Sequence, residues 1–395
     1  MASVFNTVST FLGRRGSTAS VGETVSGFFG RRGSTASIGE SAVRALPGNW
    51  YTSEEMYQLE RRAIFSRRWL LLTHKSRFAQ PGDWLRYSCA GYDFVLIKDS
   101  QDEIRAFHNV CRHCTGYIVE TGQGNTNKLT CKRDGCSYSL KGELAAGPED
   151  LGQGHNGLYS IHVRYDANGY VWINMDSKDE PEVSWDSQFE SVDKQERFKD
   201  YNFADYVFNH TWQMEGDFNW KLLADNYNEC YHSRTTHPGI KNIADLEAYS
   251  VSTVADHIQH DVKATVEQME NGAQTASTFF FPNVSMTVTL PLMFMQKFMP
   301  SGPGASIMYY EVWRNKHASD EEFESVNSNF KKIMTEDKAL CERAQRNMNS
   351  GVFVNGEMHP RLESGPLYFQ NRCRETVMEH FEREKAAGFQ IWPAT

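Results

Sequence analysis

The chain has 395 residues, with 41 Lys and Arg against 50 Asp and Glu for a net charge of -9. At about 150 residues per domain this length predicts two domains and a tail, and the acidic balance opposes the basic footprint with which proteins hold nucleic acid. No apolar run approaches the roughly 18 residues of a membrane span. The densest runs, Trp69 to Leu72 and Leu290 to Met295, are strand-length, so the expectation is a soluble protein away from membranes. Eight cysteines are too few for a disulfide scaffold, and four of them crowd between Cys111 and Cys136. Such grouping points to a metal site in a reducing, cytoplasmic compartment.

Residues 1–45 hold a tandem repeat, Phe11-Leu-Gly-Arg-Arg-Gly-Ser-Thr-Ala-Ser and Phe28-Phe-Gly-Arg-Arg-Gly-Ser-Thr-Ala-Ser, with a period of 17 residues. Two copies rich in Gly and Ser predict a disordered tail. The functional alternatives are an organelle-targeting segment or phosphorylation at Ser17 and Ser34. From residue 46 the texture changes. Ser53 reads as the N-cap of a helix whose first turn carries Glu54 and Glu55. Alternating or apolar runs follow at Trp84-Leu-Arg-Tyr, Phe94-Val-Leu-Ile, Ile104-Arg-Ala-Phe and Tyr170-Val-Trp-Ile, parted by turn signals such as Pro81-Gly82, so residues 46–180 read as a small all-β domain. Residues 181–395 mix a helix through Trp220 to Tyr227, strands from Ser277 to Pro300 and Ser306 to Arg314, and a long helix from Asp320 to about Asn347. The fold class is α+β.

Chemistry first appears in Asn109-Val-Cys111-Arg-His113-Cys114-Thr-Gly and Cys131-Lys-Arg-Asp134-Gly-Cys136-Ser-Tyr. Two short loops bearing thiols and an imidazole can enclose iron or zinc between them. A set of Cys111, Cys114, Cys131 and Cys136 would suit tetrahedral zinc, and spacing alone does not separate zinc from an iron–sulfur centre. A second constellation is Glu229-Cys-Tyr-His232-Ser-Arg-Thr-Thr-His237-Pro-Gly. Glu229 and His232 share a face of a helix, whereas two histidines five apart diverge by about 140° and converge only where the helix ends. Thr235, Thr236 and Pro238-Gly239 predict that ending. Two histidines and a carboxylate with open positions make the facial triad of non-haem Fe(II), although zinc hydrolases also use paired histidines.

Cys-x-His, 17 residues and a second Cys, flanked by Arg105-Ala-Phe-His-Asn-Val and Gly135-x-Ser-Tyr, resembles the Rieske [2Fe–2S] motif of ring-hydroxylating and choline-monooxygenase-like oxygenases. The Glu229-x2-His232-x4-His237 stretch resembles the catalytic motif of the same family, and Thr335-Glu-Asp337 its later acidic segment. The resemblance runs from about Trp50 to the C-terminus and takes in Phe281-Pro-Asn, Tyr310-Glu-Val-Trp-Arg-Asn and Phe353-Val-Asn-Gly-Glu. It implies a Rieske-like β domain followed by a helix-grip catalytic domain, an antiparallel sheet around a long helix. It further implies iron on His232, His237 and Asp337, and cluster ligands at Cys111, His113, Cys131 and position 134. The family also implies a homotrimer in which Glu229 links the iron to a neighbouring subunit's cluster histidine, and an NAD(P)H-dependent reductase as electron donor. This chain departs from the pattern at three places: Asp134 replaces a histidine ligand, Cys114 an arginine and Cys136 a tryptophan. An atypical cluster or zinc, and an altered electron path, follow from those departures.

The leading functional expectation is an O2-dependent non-haem iron oxidoreductase that hydroxylates, N-dealkylates or rearranges a small organic substrate. Tyr227, Tyr231, Phe280, Phe281 and Phe294 are candidates to line its cavity, where an aromatic cage would suit a quaternary ammonium. Core packing is the competing role for each. The alternatives are a divalent-metal hydrolase, lyase or isomerase with structural zinc in the first domain, and a non-catalytic ligand-binding relic.

Overall fold

The computed structural model describes residues 45–147, 157–230, 232–237, 249–261 and 275–393. The repeat segment, and with it the expectations of disorder, targeting and phosphorylation, lies outside these residues. The chain from Glu40 onward clusters as one compact unit. It opens with α1 (Glu54–Glu60), whose N-cap Ser53 accepts from the Met56 amide at 3.2 Å. The strands β1 (Leu70–His74), β2 (Asp83–Cys89), β3 (Tyr92–Lys98), β4 (Ile104–His108), β5 (Gln123–Asn125), β9 (Ser160–Tyr165) and β10 (Tyr170–Asn174) form a seven-stranded sheet in the order β1-β10-β9-β4-β3-β2-β5. Three short strands, β6 (Leu129–Thr130), β7 (Ser137–Tyr138) and β8 (Leu144–Ala146), make a separate sheet that carries the second cysteine loop.

After a short helix, α2 (Trp185–Gln188), the second sheet is built from β11 (Tyr206–Gly216), β12 (Ser250–Val254), β13 (His257–Asp261), β14 (Ala276–Phe280), β15 (Val284–Val288), β16 (Leu292–Gly302) and β17 (Ala305–Asn315). Its order is β11-β17-β16-β15-β14-β13-β12, antiparallel throughout. The helices are α3 (Trp220–Tyr227), one-turn α4 (Ser233–Thr236), α5 (Asp320–Asn349) and α6 (Ser364–Ala387). Ring contacts fix which face they cover: Tyr227 of α3 meets Phe279 and Phe298, Phe330 of α5 stacks on Phe294 with centroids 4.9 Å apart, and Phe369 of α6 meets Phe279.

The opposite face lies against the first domain. Met286, Met293, Met295 and Trp313 of the second sheet share one hydrophobic cluster with Trp69, Leu71, Tyr170 and Trp172 of the first. With both faces covered, β16 is buried along its first nine residues, which are apolar apart from Gln296 and Lys297, rather than alternating. Packing therefore crosses the boundary that composition draws at residue 180. A buried polar cluster crosses it too. Glu311 on β17 pairs with Lys297 at 2.9 Å and accepts from Thr73 at 2.7 Å and Tyr87 at 3.0 Å. Phe280 belongs to the interdomain cluster and packs on Trp172, so it is a core residue and not a cavity wall beneath the helices.

Candidate functional site

Asn219 caps α3 by accepting from the Lys221 amide at 3.0 Å, and the helix ends at Tyr227 with Asn228 as its C-cap. Glu229 therefore lies beyond the helix, not on a helical face shared with His232. One-turn α4 then separates His232, at its N-cap, from His237, at its C-cap. Thr235 and Thr236 lie inside this turn, and the short helix, bonded from the Thr236 amide to the His232 carbonyl at 2.9 Å, brings the two imidazoles together. Their ring centroids are 5.2 Å apart and nearly perpendicular. Asp337 comes from the middle of α5, 100 residues beyond His237, and is 7% exposed.

These three side chains converge. His237 Nε2 is 3.1 Å and His232 Nε2 3.4 Å from Asp337 Oδ1, and the candidate ligand atoms of the three residues lie within 4.8 Å of one another. The remaining imidazole nitrogens are held by carboxylates: His237 Nδ1 is 2.7 Å from Glu336 Oε2, and His232 Nδ1 bonds to Glu229. Burial alone would lower the His232 pKa, but the Asp337 and Glu229 carboxylates outweigh it and raise it to about 9. A pair of imidazoles, each gripped on its outer nitrogen, beside a buried carboxylate fits a non-haem iron. Sequence reasoning missed Glu336. Its only signal is adjacency to Asp337, the two being about 100° apart on the helix and so able to reach opposite nitrogens of one ring.

Behind the triad the helix-covered face of the sheet is unusually polar. Ser277 and Thr287 hydroxyls lie 2.9 Å apart, and the Gln296 amide donates to Tyr310 at 3.2 Å and accepts from Ser285 at 3.4 Å. Tyr227 lies among the aromatic rings of His260, Phe279 and Phe298. Phe294 stacks between Tyr310 and Phe330, while Phe281 is buried near Phe369. Tyr231 lies outside the described residues. The hydroxyl ribbon was not recognised from sequence because its members are scattered over four strands and meet only through register.

In the first domain Cys111, Cys114, Cys131 and Asp134 form one group of donor atoms within 4.8 Å of one another, and His113, Asp134 and Cys136 a second. Cys114 and Cys131 sulfurs are 3.4 Å apart, and Cys111 Sγ is 3.9 Å from Asp134 Oδ2. His113 Nδ1 bonds to Asp134 Oδ2 at 2.5 Å. The cysteine set weighed from spacing is thus divided, with Asp134 in the compact group and Cys136 outside it. A Rieske centre has two thiolates on one iron and two imidazoles on the other. With one imidazole and a carboxylate, the residues present do not fit that set.

Comparison with known proteins gives the class of each half. Residues 68–152 match the Rieske [2Fe-2S] domain, and residues 203–379 the catalytic domain of the ring hydroxylating alpha subunit. The chain belongs to the Rieske oxygenase superfamily, and the hydrolase alternative is not favoured. It is 30% identical over 209 residues to the carnitine monooxygenase oxygenase subunit of Acinetobacter pittii, a match covering 51% of this chain and 55% of that protein. In that alignment the chain spans about half the length of the relative. It is 23% identical over 362 residues to chloroplastic choline monooxygenase of Beta vulgaris, covering 84% of this chain and 76% of that one. Among solved structures, a quaternary ammonium Rieske monooxygenase in complex with L-carnitine superposes with a TM-score of 0.73 at 24% identity, covering 85% of this chain and 96% of that one. Naphthalene 1,2-dioxygenase from Rhodococcus sp. gives 0.69 at 18% identity, covering 85% and 95%. These structures share the fold.

Proposed function

We propose that this protein is a non-haem iron oxidoreductase that uses O2 to oxidise a small organic substrate, with iron held by His232, His237 and Asp337. The observation that carries the reading is the convergence of both Nε2 atoms on one Asp337 oxygen. Ferrous iron bound there would supply open positions at which O2 and substrate meet. The protein's own part is preorganisation. Glu229 and Glu336 hold the Nδ1 protons of the two histidines, which would leave each Nε2 to give up its proton and turn its lone pair to the iron on binding. Tyr310, Gln296, Ser285, Thr287 and Ser277 offer hydrogen bonds to orient a polar substrate beside them. Tyr227 and Phe294 add aromatic rings on the same face of the sheet, and the carnitine and choline relatives make small quaternary ammonium compounds the first substrates to test.

The departing ligands of the first domain support an altered electron supply. Asp134 stands where the family's electron path has an imidazole, and a carboxylate facing the Glu229 of a neighbouring subunit would repel it. A homotrimer, an NAD(P)H-dependent reductase if a cluster is retained, and a cytoplasmic setting belong to this reading. The test is oxygen uptake by ferrous-reconstituted protein with a small-molecule reductant and a panel of quaternary and tertiary amines, with isotopically labelled O2 traced into product. His237→Ala should abolish uptake and labelling. Turnover of the same substrates by zinc-loaded protein without O2 would reject the proposal.

A further inference from the structure

The two cysteine loops are near copies of one another. In the first, the Cys111 amide donates to the Gly116 carbonyl at 2.8 Å and the Thr115 amide to the Cys111 carbonyl at 3.0 Å. In the second, the Cys131 amide donates to the Cys136 carbonyl at 2.8 Å and the Gly135 amide to the Cys131 carbonyl at 3.1 Å. The fifth residue of each loop, Thr115 at φ 59° and Gly135 at φ 78°, has the left-handed backbone that closes the turn. Equivalent positions therefore correspond: Cys111 with Cys131 at the first place, Cys114 with Asp134 at the fourth. His113 at the third place corresponds to Arg133.

These are the four residues whose donor atoms crowd within 4.8 Å. With zinc–sulfur bonds of about 2.3 Å and zinc–oxygen bonds of about 2.0 Å, the edges of a tetrahedral site are about 3.8 Å between sulfurs and about 3.5 Å from sulfur to oxygen; the Cys114 and Cys131 sulfurs at 3.4 Å, and Cys111 Sγ and Asp134 Oδ2 at 3.9 Å, are each within about 0.4 Å of these. The spacing Cys-x2-Cys, 16 residues, Cys-x2-Asp is that of a paired zinc knuckle with its last thiolate replaced by a carboxylate. The surroundings also suit anionic ligands. The Arg133 amide points at Cys131 Sγ at 3.5 Å, the Tyr138 hydroxyl at Cys111 Sγ at 3.2 Å, and the Cys136 amide at Asp134 Oδ1 at 3.0 Å. Gly116 keeps the space open, for a Cβ there would lie 3.0 Å from Cys131 Sγ and 3.3 Å from Cys114 Sγ. His113, with a side chain 37% exposed and bonded to Asp134, takes the place of an outer partner that orients the carboxylate.

We propose that the two knuckles hold a single tetrahedral zinc ion through Cys111, Cys114, Cys131 and Asp134, in place of a two-iron cluster. All four positions are filled by protein, so the site is closed and structural. Cys111 and Cys131 lie in the same buried cluster as Trp84, Val95, Phe107 and Leu129, so the ion would tie both loops to the domain's core. It would carry no electrons. This inference is independent of the catalytic reading, because the first-domain metal is counted in full-length His237→Ala protein, where the second site is disabled.

The experiment is metal and acid-labile sulfide analysis of that protein and of versions further carrying Cys114→Ser or His113→Asn. About one zinc per chain without sulfide is expected, with zinc affinity falling at least tenfold in Cys114→Ser and much less in His113→Asn. Should Cys114→Ser fail to fold, cobalt substitution of the unmodified knuckles decides. It should give the strong absorption of a tetrahedral site with thiolate-to-cobalt charge transfer, and Asp134→Cys should raise that charge-transfer intensity by about a third, as three thiolates become four. Iron and sulfide in equal amounts, kept in Cys114→Ser and lost in His113→Asn, would overturn the proposal. So would one iron without sulfide, or a first domain that binds no metal.

Discussion

Among single residues, Glu336 carries the most information that the catalytic motif lacks. Asp337 is the triad's carboxylate, and its neighbour turns to the far nitrogen of His237, so two consecutive helix residues grip one imidazole from both sides. Removing such an outer partner typically weakens metal binding by about 10- to 100-fold. Glu336→Ala should lower Fe(II) or Co(II) affinity in that range, measured by competition with a chelator, while Glu336→Gln, which keeps an acceptor for the Nδ1 proton, should recover most of it. A purely structural role for Glu336 would instead lower thermal stability in both variants and leave affinity unchanged. Position 134 makes the complementary point. A residue type that departs from a motif says little about its consequence until the turn shows which neighbours share its place.

At the level of elements, the site depends on how closely α6 approaches the end of α3. Gly365, the second residue of α6, is buried, and a Cβ there would stand 2.1 Å from the Asn228 carbonyl oxygen at the α3 C-cap, immediately before Glu229. Gly365→Ala should therefore push the two helices apart. Overpacking of this kind costs about 1 to 3 kcal/mol, which denaturant unfolding should register, together with weaker metal binding as Glu229 moves off His232. Unchanged stability would mean that α6 gives way freely. The elements legible in sequence were those with a local signal. Ser53 and the acidic first turn announce α1, and Ser319 with Glu322 forms the capping box that opens α5. α6 escaped because its buried side, Leu367, Phe369, Gln370, Cys373, Thr376, Val377 and His380, mixes polar with apolar residues and blurs the helical period. β12 and β13 escaped because their partners supply the order: His257 and His260 occupy strand positions through pairing with Phe280 and Ser277.

Across the whole molecule, the grouping of His232, His237 and Asp337 follows residues that motifs alone single out, since donor type and spacing survive in sequence. What was not readable is set by three-dimensional register: the core shared across residue 180, the Glu311 cluster that joins the sheets, the hydroxyl ribbon, and the choice of Asp134 over Cys136. The same burial creates a pH dependence. His257 and His260 on β13 are 1% and 5% exposed, and burial, aided by the Arg197 guanidinium, holds their pKa values down to about 4 and about 3. His260 is neutral in a network with Tyr249 at 2.7 Å and Asn228 at 3.2 Å. A depressed folded-state pKa contributes stability that is complete above the unfolded value of about 6.5 and is lost as pH falls from there toward the folded value, because the unfolded chain binds the proton first. Each histidine should cost roughly 2 kcal/mol between pH 7 and pH 5, and the pair roughly 3 to 4. His232 in metal-free protein has the opposite sign, its contribution being lost between about 6.5 and about 9 as pH rises, and it is common to both proteins compared below, so it cancels. Unfolding free energies of the unmodified chain and the His257→Gln/His260→Gln double variant, compared at pH 7 and pH 5, should differ in slope by that amount. Equal slopes would place the acid sensitivity elsewhere and remove the buried strand histidines as its cause.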